Sequence, residues 1–201
     1  MINATANEID KKVFELLKSY EVEKVMPHME KVSIMHREHE VKNGRGDNLY
    51  YQWLACLVKL LKPKQVVELG AASGISTIMI ASELDSDAKF YSVDNDPVIA
   101  WTWMSHDWPQ LTKILESDLD MNIWKDIDLS KTDLWFIDTL HTPDQLKKEI
   151  ELYSPYWKKG TIVVFDDIRL PGMYEVWESL KYDKFENTNP CHYSGFGFIK
   201  I

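Results

Sequence analysis

Cysteine is nearly absent: Cys56 and Cys191 are the only two in 201 residues. Two thiols this far apart, in no metal or redox spacing, exclude a disulfide framework and fit a reducing, cytoplasmic setting. Positive charge is also scarce. Lys and Arg number 23 against 32 Asp and Glu, a formal net charge of −9. A nucleic acid backbone repels such a chain unless it carries a local basic patch. Lys147-Lys148 and Lys158-Lys159 are too short and too interspersed with acids to form one, so nucleic acid is not expected as a partner. No apolar run approaches the roughly 20 residues that span a bilayer, and Met1 to Glu8 has neither the basic start nor the apolar centre of a signal peptide. A membrane is therefore not expected either. Repeats and low-complexity stretches are missing too.

What remains is the composition of one globular domain, 45% hydrophobic and 27% charged. The N-terminal portion is helical. Thr5-Ala6-Asn7-Glu8 reads as a capping box, followed by Ile9, Val13, Leu16, Leu17 and Tyr20 on one helical face. Glu21 to Asn43 is interrupted by Pro27 and carries His28, His36 and His39; Asn43-Gly44-Arg45-Gly46-Asp47 is a turn cluster. A second helix is predicted over 48–62, stopped by Pro63. Strands are then predicted at 65–69, 89–94, 113–116, 133–138 and 161–165, with helices after the first, second, fourth and fifth. The last strands, at 184–187 and 195–201, have no helix between them. Apolar strands separated by amphipathic helices imply an α/β fold, a doubly wound and mostly parallel sheet with an antiparallel terminal hairpin. We divide the chain into an N-terminal helical cap or dimerisation segment, 1–46, and a main domain, 47–201.

Ligands of such folds bind at the carboxyl ends of the strands. The first strand ends in Glu68-Leu69-Gly70-Ala71-Ala72-Ser73-Gly74-Ile75-Ser76. Its small residues let a ligand approach the backbone, and the next helix offers free N–H groups; a plain tight turn is the competing reading. The second ends in Asp94-Asn95-Asp96-Pro97, where a carboxylate some twenty residues beyond the glycine turn suits a ribose diol. Asn95 or Asp96 is the alternative, as a helix cap. The third ends in Ser117 and Asp118, able to hydrogen-bond an adenine edge. The fourth and fifth end in Asp138-Thr139-Leu140-His141 and Asp166-Asp167. Three carboxylates drawn together need a cation or raised pKa values, and oxygen ligands favour Mg²⁺ or Ca²⁺ over zinc; loop acids and a helix cap are the competing reading. Trp101, Trp103 and Trp108 read as core packing. Met173, Tyr174, His192, Tyr193 and Phe196 sit where acceptor loops belong.

Together these segments resemble the class I S-adenosylmethionine-dependent methyltransferases, and within them the small metal-dependent O-methyltransferases of catechol O-methyltransferase type, bacterial branch. The resemblance covers roughly residues 44–201 and rests on Val67 to Gly74, Phe136 to His141 and Gly160 to Asp167. It implies a seven-stranded Rossmann-like sheet. It implies that Glu68, Gly70, Ala71 and Ser76, in the turn that also holds Ser73 and Gly74, bind the methionine part of the cofactor, Asp94 the ribose, and Ser117 and Asp118 the adenine. It also implies a divalent cation, Mg²⁺ by preference, on Asp138, Asp166 and Asp167. Asp167 stands where the catechol enzymes have Asn, and His141 where they have Lys. The implied activity is methyl transfer to a hydroxyl of a small molecule, a sugar, phenol or catechol, with Asp138 and His141 as the catalytic pair. The implied partners are that acceptor and a second copy of the chain. Two other readings stay open: a catalytically silent cofactor-binding or regulatory protein on the same fold, and a metal-dependent hydrolase using the same aspartates.

Overall fold

The structure is a computed structural model and describes residues 3–30, 49–97, 107–187 and 194–201. Five α-helices are described: α1 (Ala6–Leu17), α2 (Leu49–Leu61), α3 (Ile75–Glu83), α4 (Pro143–Tyr153) and α5 (Met173–Ser179). The strands are β1 (Gln65–Leu69), β2 (Lys89–Asp94), β3 (Leu111–Leu115), β4 (Leu134–Ile137), β5 (Ile162–Phe165), β6 (Asp183–Asn187) and β7 (Phe196–Lys200). They form one seven-stranded sheet in the order β3-β2-β1-β4-β5-β7-β6. The first five strands pair in parallel; β7 is antiparallel to both β5 and β6. This is the doubly wound sheet with its terminal hairpin, and the order reverses between β1 and β4, where such sheets open a crevice.

Strand residues alternate between two cores because successive side chains point to opposite faces. Val66, Phe90, Leu134, Phe136, Ile162, Val164, Phe196 and Phe198 face α1, α2 and α3. Val67, Leu69, Val93, Trp135, Ile137, Val163, Phe165 and Ile199 face α4 and α5. All residues of β1, β4 and β5 are buried, as the apolar runs in sequence require. β3 is half solvated at the sheet's edge and begins two residues before the strand read from sequence. None of the described helices is long and apolar enough to cross a membrane. The predicted helix after β2, with Trp101 and Trp103, and the residues His36, His39, Cys191, His192 and Tyr193 lie outside the described residues.

The capping box closes as read: the Glu8 N–H donates to Thr5 Oγ1 (3.3 Å), and the Thr5 N–H to Glu8 Oε2 (2.7 Å). Helix α1 packs into the same core as the strands through Ala6, Ile9 and Val13, the Ile9 and Val13 burials contributing about 1.5–3 kcal/mol each. The Ala6 N–H donates to Asp183 of β6, and Lys200 of β7 to the Ala4 carbonyl. One polar residue is buried with α1: Asp10, whose Oδ1 accepts from Trp53 Nε1 at 3.0 Å.

Burial pushes the Asp10 carboxyl up to about 6, against the smaller pull of the Trp53 hydrogen bond. A raised acid pKa is stabilising below its unfolded value and loses that contribution as pH rises through the folded one. The Asp10→Asn variant keeps the acceptor for Trp53 without the charge. It is expected to raise stability at pH 7 by about 1–2 kcal/mol and to match the wild type at pH 4. Urea titrations at the two pH values check this.

Candidate active site

The parallel strands deliver their carboxyl ends to one edge, and three backbone bonds beyond the strands hold those ends in step. The Gly70 N–H donates to Val93 O (2.9 Å), the Asp138 N–H to Leu69 O (2.8 Å) and the Asp166 N–H to Ile137 O (3.0 Å). Between the ends lies a cleft of about 450 Å³, whose wall includes Gly70, Ala72, Asp94, Ser117, Asp118, Asp138, Leu140, His141 and Gln145. That is the size class of a pocket for a drug-sized ligand.

The glycine turn is shaped by Asp94. Its Oδ2 accepts from the Ala71 and Ala72 N–H groups at 2.9 and 2.7 Å, and its Oδ1 from the Asp96 N–H at 2.8 Å. Ala72 takes the left-handed conformation, φ +44°, at a cost of about 1–3 kcal/mol, which the clasp on Asp94 offsets. A carboxylate has about four acceptor positions, so Oδ1 keeps capacity for a further donor. Gly74 caps α3 with φ +83°, and Ser73 lies half-buried in the turn. Glu68 is fully buried beneath the turn rather than on the cleft wall. Its Oε2 accepts from Thr77 (2.6 Å) and Ser92, with Ser76 close by, and burial pushes its carboxyl up to about 7. Among the described residues its Oε1 has no hydrogen-bond partner.

On the other side of the cleft, His141 stands between two carboxylates. Its Nε2 is 3.1 Å from Asp138 Oδ1 and its Nδ1 2.8 Å from Asp167 Oδ2. The bond to Asp138, then that to Asp167, pushes the imidazole up to about 10, against burial. Asp167 has φ +55° and also accepts from the Ser194 hydroxyl. Ligand atoms of Asp138, His141 and Asp167 lie within 4.8 Å of one another. The expected trio of aspartates is thus gathered differently: His141 enters the group. Asp166 stands beside it, its Oδ1 accepting from the Asp167 N–H at 2.8 Å. Burial, then Asp138 and Asp167, hold Asp166 well above the ordinary carboxylate range. Three carboxylates against one imidazole leave an excess of negative charge, and this donor set fits a hard divalent cation. Orphaned Glu68 Oε1, the spare capacity of Asp94 and the adjoining Asp118 likewise fit a ligand with an ammonium, a ribose diol and an exocyclic amine.

A family model described as a methyltransferase domain matches residues 67–168, half of the chain. The chain belongs to the methyltransferase-domain family. Catechol O-methyltransferase B of Danio rerio is 28% identical over 138 residues, which are 64% of this chain and 51% of that protein; the chain thus spans about half the length of this curated relative. Among solved structures, the O-methyltransferase TomG of Streptomyces achromogenes, in complex with SAM, superposes with a TM-score of 0.60 at 16% identity, covering 100% of this chain and 99% of that one. A methyltransferase from Geobacter sulfurreducens does so at 0.64 and 15%, covering 95% and 98%. At such identity these two show the fold.

Several residues of this methyltransferase-domain protein's site escape a reading of strand ends. Gln145 lines the cleft from the first turn of α4; Thr142 and Pro143 draw attention as helix-start signals and hide it. Leu140, 67% exposed, forms an apolar lip beside His141. Thr77 and Ser92, which hold Glu68, are polar residues inside a helix and a strand; a polar side chain at a buried strand position is the signal that finds Ser92.

Gly70 has φ +84°, and a Cβ there would lie 1.8 Å from the Asp138 carbonyl oxygen. Gly70→Ala therefore forces β1 and β4 apart at the centre of the cleft. It is expected to destabilise the fold by more than about 2 kcal/mol, whereas Ala72→Gly, which relieves the left-handed strain, is neutral or stabilising. Thermal melts of the two variants check both statements.

Proposed function

We propose that the chain is a cytoplasmic S-adenosylmethionine-dependent O-methyltransferase, requiring a divalent cation, Mg²⁺ by preference, and acting on a hydroxyl of a small sugar, phenol or catechol-like acceptor. One observation carries this reading: Asp138 and His141 form a wall of the same cleft into which Asp94 and Asp118 open. The family membership and the zebrafish catechol enzyme's likeness support the same chemistry.

The cofactor supplies a methyl group on a sulfonium, and the cation supplies charge that favours the acceptor's oxyanion. The chain's own residues do the rest. Asp94 accepts from the ribose hydroxyls, Ser117 and Asp118 bond the adenine, and Gly70, Ala71, Ser73, Gly74 and Ser76 with buried Glu68 form the methionine end. Asp138, Asp166 and Asp167 are the residues that would hold the cation. His141 is the imidazolium while both its ring nitrogens face carboxylates; once Asp138 and Asp167 turn to the cation, a freed ring nitrogen takes up the proton of the acceptor hydroxyl. Leu140 shields that end of the cleft from water. Holding acceptor and methyl in line is an orientation effect that contributes on the order of 7–11 kcal/mol in favourable cases.

Asp166→Ala and His141→Ala are each expected to lower turnover by roughly 10²–10⁴-fold, while S-adenosylmethionine affinity by calorimetry stays near that of the wild type. EDTA is expected to act like Asp166→Ala and Mg²⁺ to restore activity. Unchanged turnover in Asp166→Ala and in EDTA removes the cation from the mechanism. Cofactor binding without transfer to any hydroxylated acceptor would favour the silent cofactor-binding protein.

A further inference from the structure

Behind the adenine end of the cleft, Asp118 is paired with a second acid that the proposed reaction does not use. Glu149, on the buried face of α4, is fully inaccessible. Its Oε1 accepts from the Thr139 hydroxyl and from Gln145 Nε2 (2.7 Å). The same Gln145 amide nitrogen donates to Asp118 Oδ2 at 3.0 Å, so one amide bridges the two carboxyls and brings them within hydrogen-bonding reach of each other. Asp118 itself lines the cleft. Glu149 Oε2 is buried and, among the described residues, has no partner as an ionised oxygen.

Two adjoining buried carboxyls do not both ionise; they share a proton. Burial pushes Glu149 up to about 8, and Asp118 is raised for the same reason but remains at the cleft wall with the Gln145 donor on it. A proton on Glu149 Oε2 satisfies that orphaned oxygen, and Asp118, held by the same Gln145 amide, is the neighbouring acceptor for it. Asp118 then has no proton of its own and turns only acceptor lone pairs to the cleft. A hydrogen bond to an ionised acceptor discriminates strongly between a ligand that donates and one that presents another oxygen.

We propose that Glu149 is a positioning residue for the nucleobase: as the neutral acid it donates to Asp118, keeping Asp118 an acceptor that selects the exocyclic amine of adenine over the keto oxygen of hypoxanthine. The inference rests on the reading of Asp118 as the adenine end of the cleft. Gln145 and Thr139 serve it by occupying Glu149 Oε1, which leaves Oε2 as the only place for the proton. In Glu149→Gln the amide oxygen replaces Oε1 and the NH₂ replaces the protonated Oε2, so every hydrogen bond is kept. In Glu149→Ala the donor is lost, and Asp118 can take up the proton and present it to a keto oxygen. In Asp118→Asn, Glu149 and Gln145 both donate to the new amide oxygen and turn its NH₂ toward the base.

The test is calorimetric titration of the full chain with S-adenosylhomocysteine and S-inosylhomocysteine. The wild type and Glu149→Gln are expected to prefer the adenosyl ligand by on the order of 10–100-fold. Glu149→Ala is expected to lose at least tenfold of that ratio, and Asp118→Asn to reverse it. An unchanged ratio in Glu149→Ala, or a retained adenosyl preference in Asp118→Asn, overturns the assignment. Should Glu149→Ala fail to fold, Glu149→Leu, which keeps the volume and removes the donor, decides in its place: an unchanged ratio there overturns the assignment. Equal binding of both ligands by the wild type overturns the role of Glu149 and leaves the cofactor reading standing. Binding of neither overturns both.

Discussion

At Gly70 the end of β1 runs so close to the Asp138 carbonyl that no side chain fits between them. This approach joins the two halves of the site. To one side lie the glycine turn, Asp94 and Asp118; to the other lie Asp138, His141, Asp166 and Asp167. The parallel pairing of β1 with β4, Leu69 opposite Ile137, continues into the Asp138 N–H bond to Leu69 O and the Gly70 N–H bond to Val93 O. Residues seventy positions apart in the chain therefore face one cleft because the backbones of their strands are hydrogen-bonded, not because the side chains attract one another. Carboxylates repel, and only a backbone scaffold with a large buried core on both faces keeps this many of them together.

Charge is the second organising theme. An acidic chain could place its acids in water, yet Glu68, Asp118, Glu149, Asp166 and Asp167 are all buried, and all belong to the strand ends or to α4 beside them. Burial of this kind destabilises unless protons, donors or bound cations compensate. The donors are visible: Thr77 and Ser92 for Glu68, Thr139 and Gln145 for Glu149, Ser194 and His141 for Asp167. Perturbed acids grouped in a cleft are the physical signature of a site that handles a ligand. Asp10 is the contrasting case. It sits away from the cleft, has Trp53 as its partner, and serves the docking of α1 on α2.

Much of the architecture is legible in the amino-acid order. β1, β4 and β5 are buried on both faces, so their apolar runs mark them and their terminal acids follow directly. Thr5 and Thr142 announce helix starts that the structure reproduces by hydrogen bonds to Glu8 and Gln145. The beginning of β3 is less legible because an edge strand mixes Thr112 and Lys113 with apolar residues. Glu149 hides in the run Lys147-Lys148-Glu149-Ile150-Glu151 as one more charge of a solvated helix. Its spacing from Leu146 and Tyr153 places it on the buried face, and that spacing is the readable clue. The grouping of His141 with Asp138 and Asp167 follows from loop geometry, here a left-handed Asp167 tied to Ser194, which no pattern of residue types expresses. The role of α1 is also plain only in three dimensions: its cap signals are local, whereas its anchors, Asp183 and Lys200, lie at the far end of the chain.

The central claim is that a nucleoside-bearing ligand and a divalent cation occupy adjoining parts of one cleft. A crystal structure grown with S-adenosylhomocysteine and Mn²⁺, with anomalous data at the manganese edge, tests it most directly. The account predicts ribose hydroxyls on Asp94, adenine beside Asp118 and an anomalous peak against Asp138 and Asp167. A nucleoside on another surface, or manganese bound away from Asp138, contradicts it.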